Sequence, residues 1–363
     1  MIQTEIPFLF MRGGSSRGPY LHREDLPEDR DTLADVLISM VGAGHPLNID
    51  GIGGGAAVTT KVAMLSPSDD DWADVDYFFA QVSVEDRLVD FKPTCGNILV
   101  GVGPAALEMG LVPAAGEITE VRIRAVNTGA RVAAKVRTRD GEPIYDGDAQ
   151  IDGVPGTASP IDLVFYDITG SATDALFPTG NSKDVINGIE VSCVDVAMPI
   201  VFAKAESFGI TGTETAAELD ENKDFFAAME AIRLKAGALM GMGDVTQSVT
   251  PKFGLIAPPR NGGTATIRYF MPWKTHPSLA VTGSQCIGAC LLCPGTVGEG
   301  IGQGLTATPA HLRLEHPMGH TDVTIDYKNG NSGFEVISAN LTRTARKLAS
   351  GKVFIPSSVW GKT

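Results

Sequence analysis

The chain has 363 residues, a formal net charge of −14, and 43% hydrophobic against 20% charged residues. That length exceeds what one core usually serves, so two domains are expected. The acidic balance argues against nucleic acid or an anionic membrane as the main partner, although it leaves room for a small anion held by local donors.

No apolar run reaches the length of a membrane span, and the first residues, MIQTEIPFLFMRGG, carry neither a basic region nor a cleavage site. A cytoplasmic protein is therefore expected. Its five cysteines, Cys95, Cys193, Cys286, Cys290 and Cys293, are too few for a disulfide framework in a chain this long.

In chain order, short runs rich in Val, Ile and Thr lie between frequent glycines and prolines. They are VDYFFAQVSV, EVRIRAV, ARVAAKVRT, IDLVFYDI, IEVSCVDVAMPIVFA, TATIRYFM and TDVTIDY, and they read as strands of a largely antiparallel sheet protein. Helical patterns are fewer. One runs from about Asp29 to Val41, one from Gly96 to Met109, a long one from Thr213 to Met240 with a break at Asp220 and Asn222, and one from Gln285 to Leu292. The two halves rhyme: PTCGNILVGVGPAAL and AVTGSQCIGACLL each pass from a glycine turn into an apolar helix. The polar, turn-rich segment 178–190 marks the expected boundary, giving domains 1–183 and 184–363, with the tail free to pack back on the first.

Several motifs invite a function and fail on context. CIGACLLC has the C-x3-C-x2-C spacing of iron–sulfur sites, but on a helix its thiols spread over three turns of an apolar segment, which suits a core. GIGGGA lacks the preceding strand and following helix of a dinucleotide site. HLRLEHPMGH is broken by Pro317 and Gly319 and has no zinc-type cysteine pair.

Three features remain. Cys95 precedes an apolar helix, where backbone N–H groups favour a thiolate, Gly96 permits close approach and Asn97 offers hydrogen bonds. A buried structural cysteine fits the same spacing. Lys61 sits inside the strand-like VTTKVAML, where partial burial would make it a usable base and solvent exposure would make it ordinary. MRGGSSRG and LAVTGSQ are Gly-Ser/Thr turns able to present donors to a carboxylate, or merely to turn.

Taken together, FLFMRGGSSRG, IDGIGGG, TTKVAML, DVDYFFAQV, TCGNILVGVGPAALEMGL, NTG, IDGVPGT, MPIV, AIRLKAGALMGMGDV, LEHPMG and RTARKLASG resemble the 2-methylaconitate isomerase (PrpF-like) family, which includes 4-oxalomesaconate tautomerases. The resemblance spans nearly the whole chain. It implies an α+β fold like that of diaminopimelate epimerase, two pseudo-symmetric domains each wrapping a mostly antiparallel sheet around a central helix, with a site between them.

It also implies a proton-moving isomerase acting on a small unsaturated polycarboxylate without metal or cofactor. Lys61 and Cys95 would be the acid/base residues. Ser15, Ser16, Gly96, Asn97, Thr282, Gly283 and Ser284 would hold carboxylates, with Lys274 and His276 nearby. An amino-acid racemase on this fold would carry a second thiol at the turn SLAVTGSQ, which has none. A non-catalytic carboxylate-binding protein would have no need of both Lys61 and Cys95. A homodimer is compatible with such a chain, and its sequence leaves the oligomeric state open.

Overall fold

A computed structural model describes residues 3–302, 305–330 and 333–361, and its strands follow the β-branched and aromatic runs closely. The residues fall into two units, Met1–Phe165 with Thr342–Thr363, and Tyr166–Leu341.

The first unit contains β1 (Thr4–Gly13), β2 (Ser16–His22), β3 (Lys61–Pro67), β4 (Val75–Val82), β5 (Val89–Asp90), β6 (Ile118–Ala125), β7 (Ala130–Arg139), β8 (Glu142–Pro143) and β9 (Pro160–Tyr166). The end of β17 (Gly333–Ile355) joins it, pairing antiparallel with β1 from Ala345 to Ile355. Pairing runs β1–β2–β3–β4–β6–β7–β9–β17 and returns to β1, so the strands form a closed ring. Two short helices, α2 (Gly96–Val100) and α3 (Val102–Glu108), pack against the ring strands, while α1 (Arg30–Val41) packs on β4 and β5.

Alternation decides which side each residue faces. Val62, Met64, Ala80 and Val82 join the core cluster of α1. Their neighbours Lys61, Ala63, Phe79 and Gln81 therefore face the opposite side, where α2 and α3 touch β3. That places Lys61 on the face of the central helix.

The second unit contains β10 (Asp184–Ile186), β11 (Ile189–Asp195), β12 (Pro199–Lys204), β13 (Lys252–Ala257), β14 (Ala265–Phe270), β15 (Ala310–His316), β16 (Gly319–Gly330) and the start of β17. Its helices are α4 (Ala216–Glu221), α5 (Lys223–Leu239) and α6 (Val281–Leu292). Helix α6 packs on β11, β12 and β16, and α5 on β10 and β13.

The two units repeat one topology. In the first, β1 pairs antiparallel with β2, β2 parallel with β3, β3 antiparallel with β4, β4 parallel with β6, and β6 antiparallel with β7. The same alternation runs through β11, β12, β13, β14, β15 and β16. The peripheral helices fall in the same interval, before β3 and before β13, and the central helices before β6 and before β15.

Several details differ from the sequence reading. The helix expected from Gly96 to Met109 breaks at Gly101, because Pro104 has no N–H for the Val100 carbonyl and its ring crowds that turn. The long helix breaks once, at Asn222, which ends α4 and caps α5 by accepting a hydrogen bond from Phe225 N–H at 3.0 Å. Helix α6 begins at Val281, four residues earlier than expected, so VTGS is its first turn rather than a turn before it. Segment 178–190 lies inside the second unit. Its polarity serves a bonded turn, with Thr179 Oγ1 and Asn181 Nδ2 donating to Asp184 at 2.6 and 2.8 Å.

CIGACLLC is core. Cys286 and Cys290 are fully buried and Cys293 is 4% exposed. Their contacts diverge: the Cys286 thiol lies 3.4 Å from the Val194 carbonyl, while Cys293 meets that of Pro294 at 3.8 Å.

Candidate active site

In the first unit, Lys61 opens β3 directly opposite Gln81 of β4. Its Nζ donates to Gln81 Oε1 at 2.6 Å and lies 5.4 Å from the centre of the Phe79 ring. The Gln81 amide is itself held. Its Nε2 donates to Thr60 Oγ1 at 3.1 Å and to the carbonyls of Ala57 and Val82 at 3.2 and 3.1 Å, while Thr60 Oγ1 donates to Val82 O at 2.7 Å. With the nitrogen so occupied, the amide oxygen is directed at the lysine.

Cys95 is the residue before α2 and is half-buried. Two tyrosines anchor the start of that helix. Tyr77 donates to the Cys95 carbonyl at 3.3 Å and Tyr20 to the Ile98 carbonyl at 2.5 Å. Burial pushes both phenols well above their ordinary range, and the neighbouring Cys95 adds to the effect in each. Asn127 fixes the approach to Cys95, accepting from Phe79 N–H at 2.8 Å and donating to the carbonyls of Phe79 and Phe91 at 2.9 and 2.8 Å.

The turn between β1 and β2 packs on the same helix start. Asn97 Nδ2 donates to Ser15 Oγ at 3.2 Å, and Ser15 N–H approaches Asn97 Oδ1 at 3.4 Å. Gly14 has φ +52, and a Cβ there would lie 2.1 Å from Asn97 Oδ1, so only glycine fits. Ser15 is exposed. Ser16 is 3% exposed, and its hydroxyl has no partner among the described residues. Thus all six expected residues belong to one unit: the Ser15 turn meets Asn97 at the start of α2, and Lys61 stands on the face of β3 that looks toward the central helix.

The second unit holds the remaining expected residues. Thr282 and Gly283 lie in the first turn of α6. Ser284 is fully buried and donates its hydroxyl to Val281 O at 2.8 Å, so that hydroxyl serves the helix rather than a ligand. Lys274 is exposed. His276 is half-buried, and its Nδ1 accepts Ser278 N–H at 2.9 Å, which leaves Nε2 as the protonated nitrogen of the neutral ring. Burial lowers its pKa, with the Lys252 charge adding to the shift.

Among the described residues, no group of three or more His, Cys, Asp or Glu is arranged to hold a metal ion. A cavity of about 500 Å³ beside Gln81 is bordered by Glu85, Asp86 and Asp90, whose charge is unsuited to a polyanion. No described helix is long and apolar enough to cross a membrane.

Residues 3–356 match the family described as PrpF protein. The chain belongs to the PrpF family. It is 44% identical to the 4-oxalomesaconate tautomerase of Pseudomonas putida KT2440 over 361 residues, 99% of each chain. The crystal structure of a methylitaconate-delta-isomerase superposes with a TM-score of 0.93 at 33% identity, over 100% of this chain and 98% of that one. A hydroxyproline epimerase from Agrobacterium vitis shares the fold at 14% identity, with a TM-score of 0.51 over 99% of this chain and 98% of that one. This PrpF chain thus has the α+β, diaminopimelate epimerase-like fold.

Sequence reasoning about this PrpF protein passed over Gln81, Thr60, Tyr20 and Tyr77. Gln81, Tyr20 and Tyr77 are ordinary strand residues and Thr60 immediately precedes a strand, and the role of each depends on which chain lies beside it.

Proposed function

We propose that this PrpF-family protein is a cofactor-independent isomerase or tautomerase that moves a proton on a small unsaturated di- or tricarboxylate of the 4-oxalomesaconate or 2-methylaconitate type. The observation that carries this is Lys61, aimed by Gln81 on the face of the central helix that begins at Cys95.

A C–H next to both a C=C bond and a carboxylate is weakly acidic. In this reading the Lys61 amine takes that proton, and the C–H electron pair becomes a dienolate spread onto the carboxylate oxygens. The first-turn N–H groups of α2, which have no intrahelical acceptor, and the Asn97–Ser15 pair supply donors for that charge. The proton then returns to the far carbon of the allylic system, or to oxygen in a tautomerisation, with Cys95 as the partner acid/base. Atoms and electrons balance without an oxidant or a second substrate.

The racemase reading has less support. It calls for a thiol at the start of the second central helix, where the nearest cysteine, Cys286, is fully buried.

A proton-NMR and ultraviolet screen of 4-oxalomesaconate, 2-methylaconitate, methylitaconate and aconitate tests the proposal. Conversion of one acid to an isomer with no added metal or cofactor is expected. Inertness toward all of them, alongside racemisation of a proline or diaminopimelate substrate, would sink it.

A further inference from the structure

Lys61 and Cys95 lie on separate segments of the first unit, and one strand touches both. Ala80 and Val82 of β4 join the core of α1, so Tyr77, Phe79 and Gln81 face the other way. Gln81 holds Lys61 Nζ, the Phe79 ring lies beside that nitrogen, and Tyr77 holds the Cys95 carbonyl. The spacing of the two groups therefore depends on how β4 is fixed to the chain that leads into Cys95.

Backbone pairing leaves that joint open. One edge of β4 pairs with β6 over Val75–Tyr77 and with β5 over Gln81–Val82. Phe79 falls between the two, and no described strand pairs with it on that edge. The chain from Phe91 to Cys95 follows β5 and contains Pro93, which has no N–H to give.

Asn127 fills the gap. It sits in the turn after β6, where Val126 N–H donates to the Tyr77 carbonyl at 2.9 Å. The N–H groups of Thr128 and Gly129 donate to Ala125 O at 3.1 and 2.8 Å, and Gly129, at φ +73, closes the turn. The Asn127 side chain then serves as one more rung of the ladder. Its Oδ1 accepts Phe79 N–H at 2.8 Å, and its Nδ2 donates to Phe79 O at 2.9 Å and to Phe91 O at 2.8 Å. An amide side chain offers one carbonyl oxygen and two N–H donors, and here all three are engaged.

We propose that Asn127 is a positioning residue of the proton transfer. By stapling β4 to the Phe91 segment, it holds Cys95 at working distance from Lys61. The proposal rests on the isomerase reading above and adds to it the residue that joins the lysine half of the site to the thiol half.

The test uses the full chain as wild type, Asn127→Ala and Asn127→Asp, the last of which keeps the shape and the acceptor but loses both donors. Three quantities are read: kcat on the acid that wild type isomerises, calorimetric affinity for propane-1,2,3-tricarboxylate, a saturated probe that cannot react, and the rate of Cys95 alkylation near pH 8. In both variants kcat should fall by roughly 10- to 100-fold, the usual result of a small misplacement of reacting groups. Probe affinity should stay near that of wild type. Cys95 should alkylate several-fold faster while Cys286 and Cys290 remain unlabelled, because the segment before α2 is released and the fold is not.

An unchanged kcat or an unchanged Cys95 rate in both variants overturns the proposal and leaves the isomerase reading standing. Equal loss of kcat and probe affinity, with the buried thiols becoming reactive, also overturns it, since Asn127 would then serve the fold alone. Wild type inert toward every acid in the screen overturns the isomerase reading, and this proposal falls with it. If Asn127→Ala does not fold, Asn127→Asp alone decides on the same three readings.

Discussion

Cys95 and Cys286 belong to the two central helices of a repeated fold, and their surroundings are opposite. Cys95 stands immediately before its helix, half-buried, between tyrosine-anchored backbone and the Ser15 turn. Cys286 is the sixth residue of α6, fully buried, its thiol against a strand carbonyl. Burial pushes Cys286 well above the ordinary thiol range, and Cys290, Cys293 and Cys193 up to about 12. Similar helices thus carry a presented thiol in one unit and packing thiols in the other. What separates them is position relative to the first turn, not the density of cysteines in the sequence.

The largest expected effect concerns the first unit. Lys61→Met should lower turnover by about 10²- to 10⁴-fold, the usual contribution of a positioned acid/base, while the protein stays folded by circular dichroism. Equal loss on mutating an exposed lysine outside the expected site, such as Lys135, would remove the distinction. The thiol contrast is tested directly by alkylation of native protein near pH 8 followed by intact mass. One adduct, at Cys95, is expected; rapid labelling of Cys286 or Cys290 would contradict the buried assignment.

Gln81→Leu should reduce kcat by roughly 10- to 100-fold through misplacement of Lys61, with little change in affinity for propane-1,2,3-tricarboxylate. Parallel loss of binding would mean that Gln81 touches substrate instead of aiming the lysine. The smallest effect is structural. Tyr20→Phe removes the hydroxyl that holds the Ile98 carbonyl and should cost about 1 kcal/mol in urea unfolding.

Much of the architecture is legible in local patterns. Alternation gives the strands, whereas the apolar run from Gly96 to Met109 reads as one helix and conceals the break that Pro104 imposes. Lys61, Cys95 and the Ser15 turn stand out because each is chemically odd for its place. Other features depend on distant chain.

Gln81 acts on Lys61 only through the β3–β4 register, which no short window reveals. Gly283 reads as a turn signal by propensity but sits inside α6, because a Cβ there would lie 3.0 Å from the Tyr269 ring. Ser284 reads as a ligand donor until its hydroxyl is seen turned back on Val281.

The most direct test of the central claim is hydrogen exchange followed by proton NMR in D2O, using whichever acid the wild-type protein isomerises. Wild type should wash deuterium into the migrating carbon position at least as fast as it isomerises, and Lys61→Met should do neither while still binding the acid. Wild-type exchange in the Lys61→Met protein would contradict the claim that this lysine moves the proton.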